Sequence, residues 1–328
     1  MQNNPPLQNL ETQREPFEAF LGRARTLPVF VILGVQGSGT NLLRSILHGT
    51  FNFSVVQDQA LVYNAALRLG SSPTVDAVRR EFQAMMPRLL PTAISRKTLR
   101  RVKTNGSFEG IERHFEPSRI TSGQEFARFI YAYSAHSRGT TLMGIKSDDL
   151  WETISHLDEV LPNRRVILLT RDFRDNLLSI TKKGFGPVHP LIAARYVKER
   201  FAHYDAEFRR TPEAQRIHVR YEELLRDPDA FVARFQQRFS LGSPGSSPTP
   251  VNTGRIRRDN MKKWAALTAR QLAHVEAVLA DELAAYGYEA AAQNPQLPTS
   301  LDWQSAAVLD FAKRVPQKLR SLTHRLAK

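Results

Sequence analysis

The stretch VFVILGVQGSGTNLL, residues 29–43, decides how this chain is organised. It opens on a continuous apolar run with β-branched side chains, which predicts a buried strand. A glycine-rich segment from Gly34 to Asn41 follows, and apolar residues spaced three and four apart after it predict a helix. Glycines let backbone N–H groups approach an anion, and the N-terminus of a helix attracts one. The stretch therefore predicts a phosphate-binding loop between a strand and a helix.

This loop differs at one position from the loop of nucleoside triphosphatases. Their pattern, GxxxxGK followed by Ser or Thr, would begin at Gly34 and place a lysine directly after Gly39, where this chain has Thr40. That lysine contacts the terminal phosphates of a nucleoside triphosphate, so hydrolysis of a triphosphate is not expected here. Ser38, Thr40 and Asn41 add side-chain donors for a different anion.

Strands and helices alternate through the rest of the chain. Apolar runs of strand length lie at residues 51–57, 140–146, 164–171 and 216–221. Helical patterns lie at residues 16–25, 61–101, 150–161, 191–209 and 268–286. This alternation predicts an α/β fold with a mostly parallel sheet flanked by helices. The Ser- and Pro-rich segment 243–250 predicts a linker.

The composition restricts the function further. The 328 residues include 46 Lys and Arg against 32 Asp and Glu, a net charge of +14, so we expect an anionic partner or substrate. The basic residues are scattered among acidic ones without interleaved aromatic residues, so no nucleic-acid partner is expected. The absence of Cys excludes disulfides and thiolate metal sites, and the His residues lack the spacing of zinc ligands. With no apolar segment of about 20 residues and no signal-like N-terminus, we expect a cytoplasmic protein without an integral membrane segment.

Five segments resemble the sulfotransferases that use 3′-phosphoadenosine 5′-phosphosulfate (PAPS), and they occur in the same order. They are SGTNLLR at 38–44, GIK at 144–146, LTRDFRDNLLS at 169–179, VRYEELLRDP at 219–228 and KKW at 262–264. Their order is similar to that of the tyrosylprotein, Golgi-type and bacterial members of the family. The resemblance implies a three-layer sandwich like that of the P-loop nucleotide kinases. It also implies a polar leader over 1–27, a catalytic domain over 28–290 and a basic amphipathic tail over 291–328.

The resemblance implies a set of contacts to PAPS. The 5′-phosphosulfate is expected on the loop, and the 3′-phosphate is expected on Arg171 and Ser179, which are eight residues apart. An ion pair with Asp172 or Asp175 is the alternative role of Arg171. The full set of expected contacts is Gln36, Gly37, Ser38, Gly39, Thr40, Asn41, Arg171, Ser179, Tyr221 and Lys263. For Tyr221 a place in the core, and for Lys263 a solvated basic face, are the alternatives.

Two catalytic residues are expected at the carboxyl ends of strands. Lys146 would stabilise the charge on the bridging oxygen as the sulfuryl group leaves PAP, and a lysine facing solvent is the alternative. Asp58 would accept the proton of the acceptor, although a cap of the following helix fits its position equally well. His48, His114 and His136 are alternative bases.

The expected function is transfer of a sulfuryl group from PAPS to a hydroxyl or amine acceptor, giving PAP and a sulfated product with no metal required. The chain departs from the family pattern at two positions. Gly37 stands where Lys or Arg is usual, and Asp58 stands where Glu or His is usual. Gly37 leaves one alternative, a non-catalytic PAP- or sulfate-binding protein. An atypical P-loop phosphotransferase is a second alternative, which Thr40 in place of Lys disfavours. No motif identifies the acceptor.

The C-terminal segment combines a helical apolar pattern with a basic excess. Between Leu301 and Lys328 the sequence has six Lys or Arg and two Asp. The apolar residues at helical spacing are Leu301, Val308, Phe311, Val315, Leu319, Leu322 and Leu326. This pattern is typical of helices that lie on anionic membranes, so a peripheral membrane contact is one expectation. Docking on the protein's own sheet or on a second subunit is the other.

Overall fold

The computed structural model describes residues 16–56, 60–89, 108–146, 150–183, 186–241 and 261–326, and for residues 315–326 it describes the helix but not the side chains. Five strands form a parallel sheet in the order β2-β3-β1-β4-β5, flanked by helices. The strands are β1 (Val29–Leu33), β2 (Ser54–Val56), β3 (Met143–Lys146), β4 (Arg165–Thr170) and β5 (Arg216–Arg220). The predicted fold class is confirmed, and each of the five predicted strands is present.

Thirteen α-helices lie in the described residues. In the first half of the chain they are α1 (Phe17–Ala24), α2 (Thr40–Phe51), α3 (Leu61–Leu69), α4 (Val75–Leu89), α5 (Gly123–Ser137) and α6 (Leu157–Val160). In the second half they are α7 (Phe173–Thr181), α8 (Pro190–Arg210), α9 (Tyr221–Arg226), α10 (Pro228–Phe239), α11 (Ala269–Val278), α12 (Ala280–Ala285) and α13 (Ser300–Leu326). None of the described helices is long and apolar enough to cross a bilayer.

The chain divides into two compact units. The described residues of the first unit fall within 16–32 and 44–166. Its core includes β3, which pairs in register with β1 (Val29 opposite Met143) and with β2 (Ser54 opposite Met143). Gly144 permits the close approach of β1, because a Cβ at this position would lie 2.7 Å from the carbonyl oxygen of Phe30. Helix α1 buries Phe17 and Phe20 and packs against α5.

The described residues of the second unit fall within 33–43, 167–241 and 261–326. This unit contains the glycine-rich loop, most of β4 and all of β5. Helix α8 is its central helix, because α7, α11 and α13 all pack against it. Strand β5 alternates buried and half-buried residues, whereas β4 is buried from Val166 to Thr170, as expected for strands at the edge and in the interior of a sheet.

Three helix predictions need correction. Residues 150–161 form two short 3₁₀ turns, Leu150–Glu152 and Ile154–His156, before α6, and the carbonyl of Thr153 between them accepts a hydrogen bond from the Tyr63 hydroxyl at 2.8 Å. The part of the predicted helix 61–101 that the structure describes is divided into α3 and α4, since Gly70 takes a left-handed φ of +61°, and residues 90–101 lie outside the described residues. Residues 268–286 form α11 and α12 with a break at Leu279. The linker predicted at 243–250 lies outside the described residues.

Candidate functional site

The glycine-rich loop lies where the order of the sheet reverses. The chain leaves β1 toward β2 on one side, and it leaves β4 toward β5 on the other. The crevice at the carboxyl ends of two such neighbouring strands is the usual ligand site of open parallel sheets. The loop follows β1 directly, and Arg171 follows β4 directly. The fold therefore places both predicted anion-binding segments at this point of the second unit.

Two glycines of the loop are required by what packs on them. Gly39 has a φ of +103°, and a Cβ there would lie 2.3 Å from Cδ2 of Tyr221. Gly37 has a φ of +90°, and its Cβ would lie 3.1 Å from Nδ2 of Asn176 and 3.1 Å from Cβ of Ser179. A side chain at either position would meet both a strained backbone and an occupied space. Glycine at position 37 thus follows from the local geometry of this chain.

Arg171 ties the loop to helix α7. Its Nη1 donates to the carbonyl oxygen of Gly37 and to Oγ of Ser179, each at 3.0 Å. The guanidinium lies over the ring of Tyr221, with 4.6 Å from Cζ to the ring centroid, and Nη2 is 3.9 Å from Oδ2 of Asp175. The structure thus brings together Arg171, Ser179, Tyr221 and the loop. The alternative ion pair with Asp175 is also present, at a long distance.

The loop contains a buried polar group without a partner. Ser38 is 2% exposed, and its Oγ has no hydrogen-bond partner among the described residues. Thr40 is buried and begins helix α2, whose first N–H groups have no acceptor within the helix, and Asn41 is exposed on the same turn. A buried hydroxyl without a partner among the described residues, at a helix N-terminus and near a buried guanidinium, fits the phosphate or sulfate oxygens of a ligand.

Residues that the sequence did not single out hold the loop. Asn176 Nδ2 donates to the carbonyl oxygen of Gln36 at 2.8 Å, and the Tyr196 hydroxyl donates to Oε1 of Gln36 at 3.1 Å. Asn176 is three residues before Ser179 on α7, so helical spacing was a signal for it. Tyr196 is separated from Gln36 by 160 residues and had no local signal.

Arg174, three residues after Arg171, is the centre of a buried network of charged side chains. Arg174 forms ion pairs with Asp172 and Glu276, and its guanidinium lies 4.4 Å from the ring centroid of Trp264. Asp175 accepts a hydrogen bond from the backbone N–H of Trp264 at 3.1 Å. Burial, together with the neighbouring charge of Asp172, raises the pKa of Asp175. The network attaches the segment that contains the half-buried Lys263 to the helix that carries Ser179.

A family model, described as the sulfotransferase family, matches residues 28–244. This chain belongs to the sulfotransferase family. No curated protein matches the sequence of this sulfotransferase. Among solved structures it is similar to the sulfotransferase domain of the olefin synthase of Synechococcus PCC 7002, with 18% identity, a TM-score of 0.51, and 80% of this chain and 95% of that chain covered. It is also similar to the sulfotransferase domain of the curacin biosynthetic pathway, with 14% identity, a TM-score of 0.51, and coverage of 83% and 99%. At identities this low, the similarity to these two solved structures shows a shared fold only.

Of the two predicted catalytic residues of this sulfotransferase, the structure describes Lys146 but not Asp58. Lys146 is 3% exposed and is the last residue of β3, opposite Ile32 of β1 in the first unit. It is therefore not a lysine that faces solvent. Asp58 lies outside the described residues, and its role stays a prediction.

The three histidines considered as alternative bases lie in the first unit, where each contacts neighbouring side chains. The rings of His114 and His136 pack edge-on against Phe17, at centroid distances of 5.2 and 5.4 Å. His48 lies beside Arg138, whose Nη2 is 2.7 Å from Nδ1 of the imidazole. Burial, with the charge of Arg138 added, lowers the pKa of His48 to about 4.

Proposed function

We propose that this sulfotransferase transfers a sulfuryl group from PAPS to a hydroxyl or amine acceptor, with a catalytic domain spanning residues 28–290. One observation carries the proposal. A single guanidinium, that of Arg171, contacts both the glycine-rich loop and Ser179. The family membership supports the reaction class, and this contact supports the choice of donor.

The argument for PAPS rests on its two separate anionic groups. The 5′-phosphosulfate fits the loop, where the Ser38 hydroxyl is buried without a partner among the described residues. The 3′-phosphate distinguishes PAPS from AMP and ATP, and Arg171 and Ser179 are the proposed contacts for it. Tyr221 supports both groups of contacts, because its ring packs against Gly39 and beneath the Arg171 guanidinium. Gln36, Gly37, Thr40, Asn41 and Lys263 complete the proposed donor site.

The transfer itself needs a base and a cation. The acceptor oxygen or nitrogen forms a bond to sulfur while the bond from sulfur to the bridging oxygen breaks, and the electron pair of that bond stays with PAP. Asp58 is the proposed base for the acceptor proton. The ammonium of Lys146 is the proposed group that stabilises the charge on the bridging oxygen. Arg171 brings positive charge to the loop at Gly37, where the family usually has a basic side chain.

Calorimetric titration with PAP, AMP and ATP tests the donor. PAP carries both phosphates and should bind the protein at least tenfold more tightly than AMP, the equivalent of about 1.4 kcal/mol. Equal affinities for PAP and AMP would show that the chain does not recognise a 3′-phosphate.

Transfer of ³⁵S from labelled PAPS into an acceptor tests the reaction, with a cell extract as the source of acceptors. Loss of labelled product in an Asp58→Asn variant, by about 10²–10⁴-fold at unchanged PAP affinity, is expected for a general base. Tight PAP binding without any labelled product favours the second candidate, a non-catalytic PAP-binding protein. The replacement of the usual loop cation by Gly37 is the observation behind that candidate.

A further inference from the structure

Large apolar side chains are exposed mainly in one short stretch of the second unit. Among the described residues, seven large hydrophobic side chains are exposed, and five of them lie between residues 297 and 311. These five are Leu297, Leu301, Val308, Leu309 and Phe311. Leu301 and Phe311 are each 71% exposed. A concentration of exposed apolar side chains marks a surface that contacts another molecule or a membrane.

The helix that carries this surface, α13, is held in a fixed orientation by its opposite face. Asp310 is 5% exposed and accepts hydrogen bonds from the backbone N–H groups of Val188 at 2.6 Å and His189 at 2.8 Å. Arg314 donates to the carbonyl oxygen of Gly186 at 3.2 Å, and Ala306 is buried. The apolar face therefore points away from the unit because the polar face is bound to it.

The packing of α13 on the second unit also covers the acidic side chains of the segment 301–328. Both acidic residues between Leu301 and Lys328, Asp302 and Asp310, have low side-chain exposure, 13% and 7%, and are paired with Arg270 and Arg314. From Ser300 to Lys313, the exposed residues of α13 are apolar or uncharged except for Lys313, and none is acidic. The sequence adds four more basic residues and no acidic one from residue 315 to Lys328. The outward surface is apolar with a positive charge.

The positive charge of this surface favours an anionic partner. A second copy of the chain would bring two basic segments together, in a protein whose net charge is already +14. An anionic lipid surface complements both properties, since apolar side chains enter the boundary between headgroups and acyl chains while basic residues meet lipid phosphates. We infer that the outward face of α13 binds the surface of an anionic membrane, with the helix lying in the plane of the interface.

Vesicle co-sedimentation of the full chain tests this inference. The vesicles are phosphatidylcholine alone, or phosphatidylcholine in which about one third of the lipid is phosphatidylglycerol. The wild type should sediment with the anionic vesicles at low salt and be released by about 0.5 M salt. A Val308→Ser, Phe311→Ser double variant should partition into the anionic vesicles about tenfold less, because it loses two apolar side chains.

A Val75→Ser variant is the matched control, since Val75 is also exposed but lies on α4 in the first unit. It should bind the anionic vesicles like the wild type. The melting temperature and the affinity for PAP should be the same in all three proteins, so this test is independent of the proposed sulfuryl transfer. Equal vesicle binding by wild type and double variant would overturn the inference, as would equal binding to neutral vesicles. A concentration-dependent dimer that is lost in the double variant, without any vesicle binding, would assign the surface to a second copy instead.

Discussion

Arg171 is a buried charged residue at the centre of the candidate site. It is 5% exposed, and its Nη2 lies 3.9 Å from Oδ2 of Asp175, a long distance for an ion pair. Burial raises the pKa of that carboxyl group, with the charge of Asp172 as the second cause. A buried guanidinium beside the glycine-rich loop and the Ser179 hydroxyl is suited to an anionic ligand.

An Arg171→Ala variant tests this role. Loss of a charged hydrogen bond to the 3′-phosphate should weaken PAP binding by about 1.5–3 kcal/mol. AMP lacks the 3′-phosphate, so its affinity should be nearly unchanged. Isothermal titration calorimetry with both ligands is the measurement. If the variant loses the same free energy of binding for PAP and for AMP, Arg171 supports the loop and does not contact the 3′-phosphate.

A Gly39→Ala variant tests the contact between the loop and Tyr221. The new Cβ would lie 2.3 Å from the Tyr221 ring at a φ of +103°, so we expect about 2–4 kcal/mol of destabilisation and weaker PAP binding. Gly22 is the matched control, because it lies within α1 and a Cβ there has no atom within 4 Å. Gly22→Ala should leave the melting temperature equal or higher. A Gly39→Ala protein as stable as the control would mean that the loop and Tyr221 separate easily.

At the scale of elements, helix α8 depends on α13 at its N-terminus. Helix α8 begins at Pro190, and the N–H groups of the two residues before it donate to Asp310 rather than to the helix. A carboxylate at this end also interacts favourably with the helix dipole. The C-terminal helix is thus a cap for the central helix of the second unit, as well as the carrier of the exposed apolar face.

An Asp310→Ala variant should lower the free energy of unfolding by about 2–3 kcal/mol, because two partly buried backbone N–H groups lose a charged acceptor. Asp281→Ala is the control, since the Asp281 side chain is 91% exposed and pairs with Lys198 at 3.5 Å. That pair should contribute about 0–1 kcal/mol. Urea denaturation of both variants measures the difference. Equal stabilities for the two variants would show that the Asp310 hydrogen bonds contribute no more than a surface ion pair.

In the molecule as a whole, each unit contains a half-buried histidine with a low pKa. Burial is the main cause in both cases, and it lowers the pKa of His48 in the first unit and of His218 in the second unit to about 4. His218 Nε2 lies 2.8 Å from Oγ1 of Thr170, and His48 lies beside the Arg138 guanidinium. Both imidazoles are therefore neutral in the folded protein across the mildly acidic range.

This predicts loss of stability in acid. The unfolded chain takes up protons near pH 6.5 whereas the folded chain does not until about pH 4, so stability is present above pH 6.5 and is lost as the pH falls toward 4. Between pH 7 and pH 5 we expect each histidine to reduce the free energy of unfolding by about 1–2 kcal/mol. Urea titrations across this range should give a flatter pH dependence for a His48→Gln, His218→Gln double variant. A slope equal to that of the wild type would assign the acid sensitivity to other groups.

Features that depend on neighbouring residues can be predicted from the amino-acid sequence alone. The run from Val29 to Leu33 is a strand because its apolar residues are consecutive, and the glycines after it form a loop because no side chain restricts them. The eight-residue spacing of Arg171 and Ser179 puts them at the end of a strand and on the next helix, where the structure joins them by a hydrogen bond. Patterns of this kind act over one or two turns, so they are readable without the rest of the fold.

The packing of the folded chain determines which distant residues are in contact and which face of a helix is buried. No local pattern connects Gly39 to Tyr221 or Gln36 to Tyr196, because their contacts arise when strands and helices from both halves of the chain pack together. The same holds for α13. An amphipathic helix usually buries its apolar face, but here the buried face carries Asp310 and Ala306 while Val308 and Phe311 are exposed. The reason is that two backbone N–H groups before α8 need an acceptor, and Asp310 satisfies them only when the apolar face points outward.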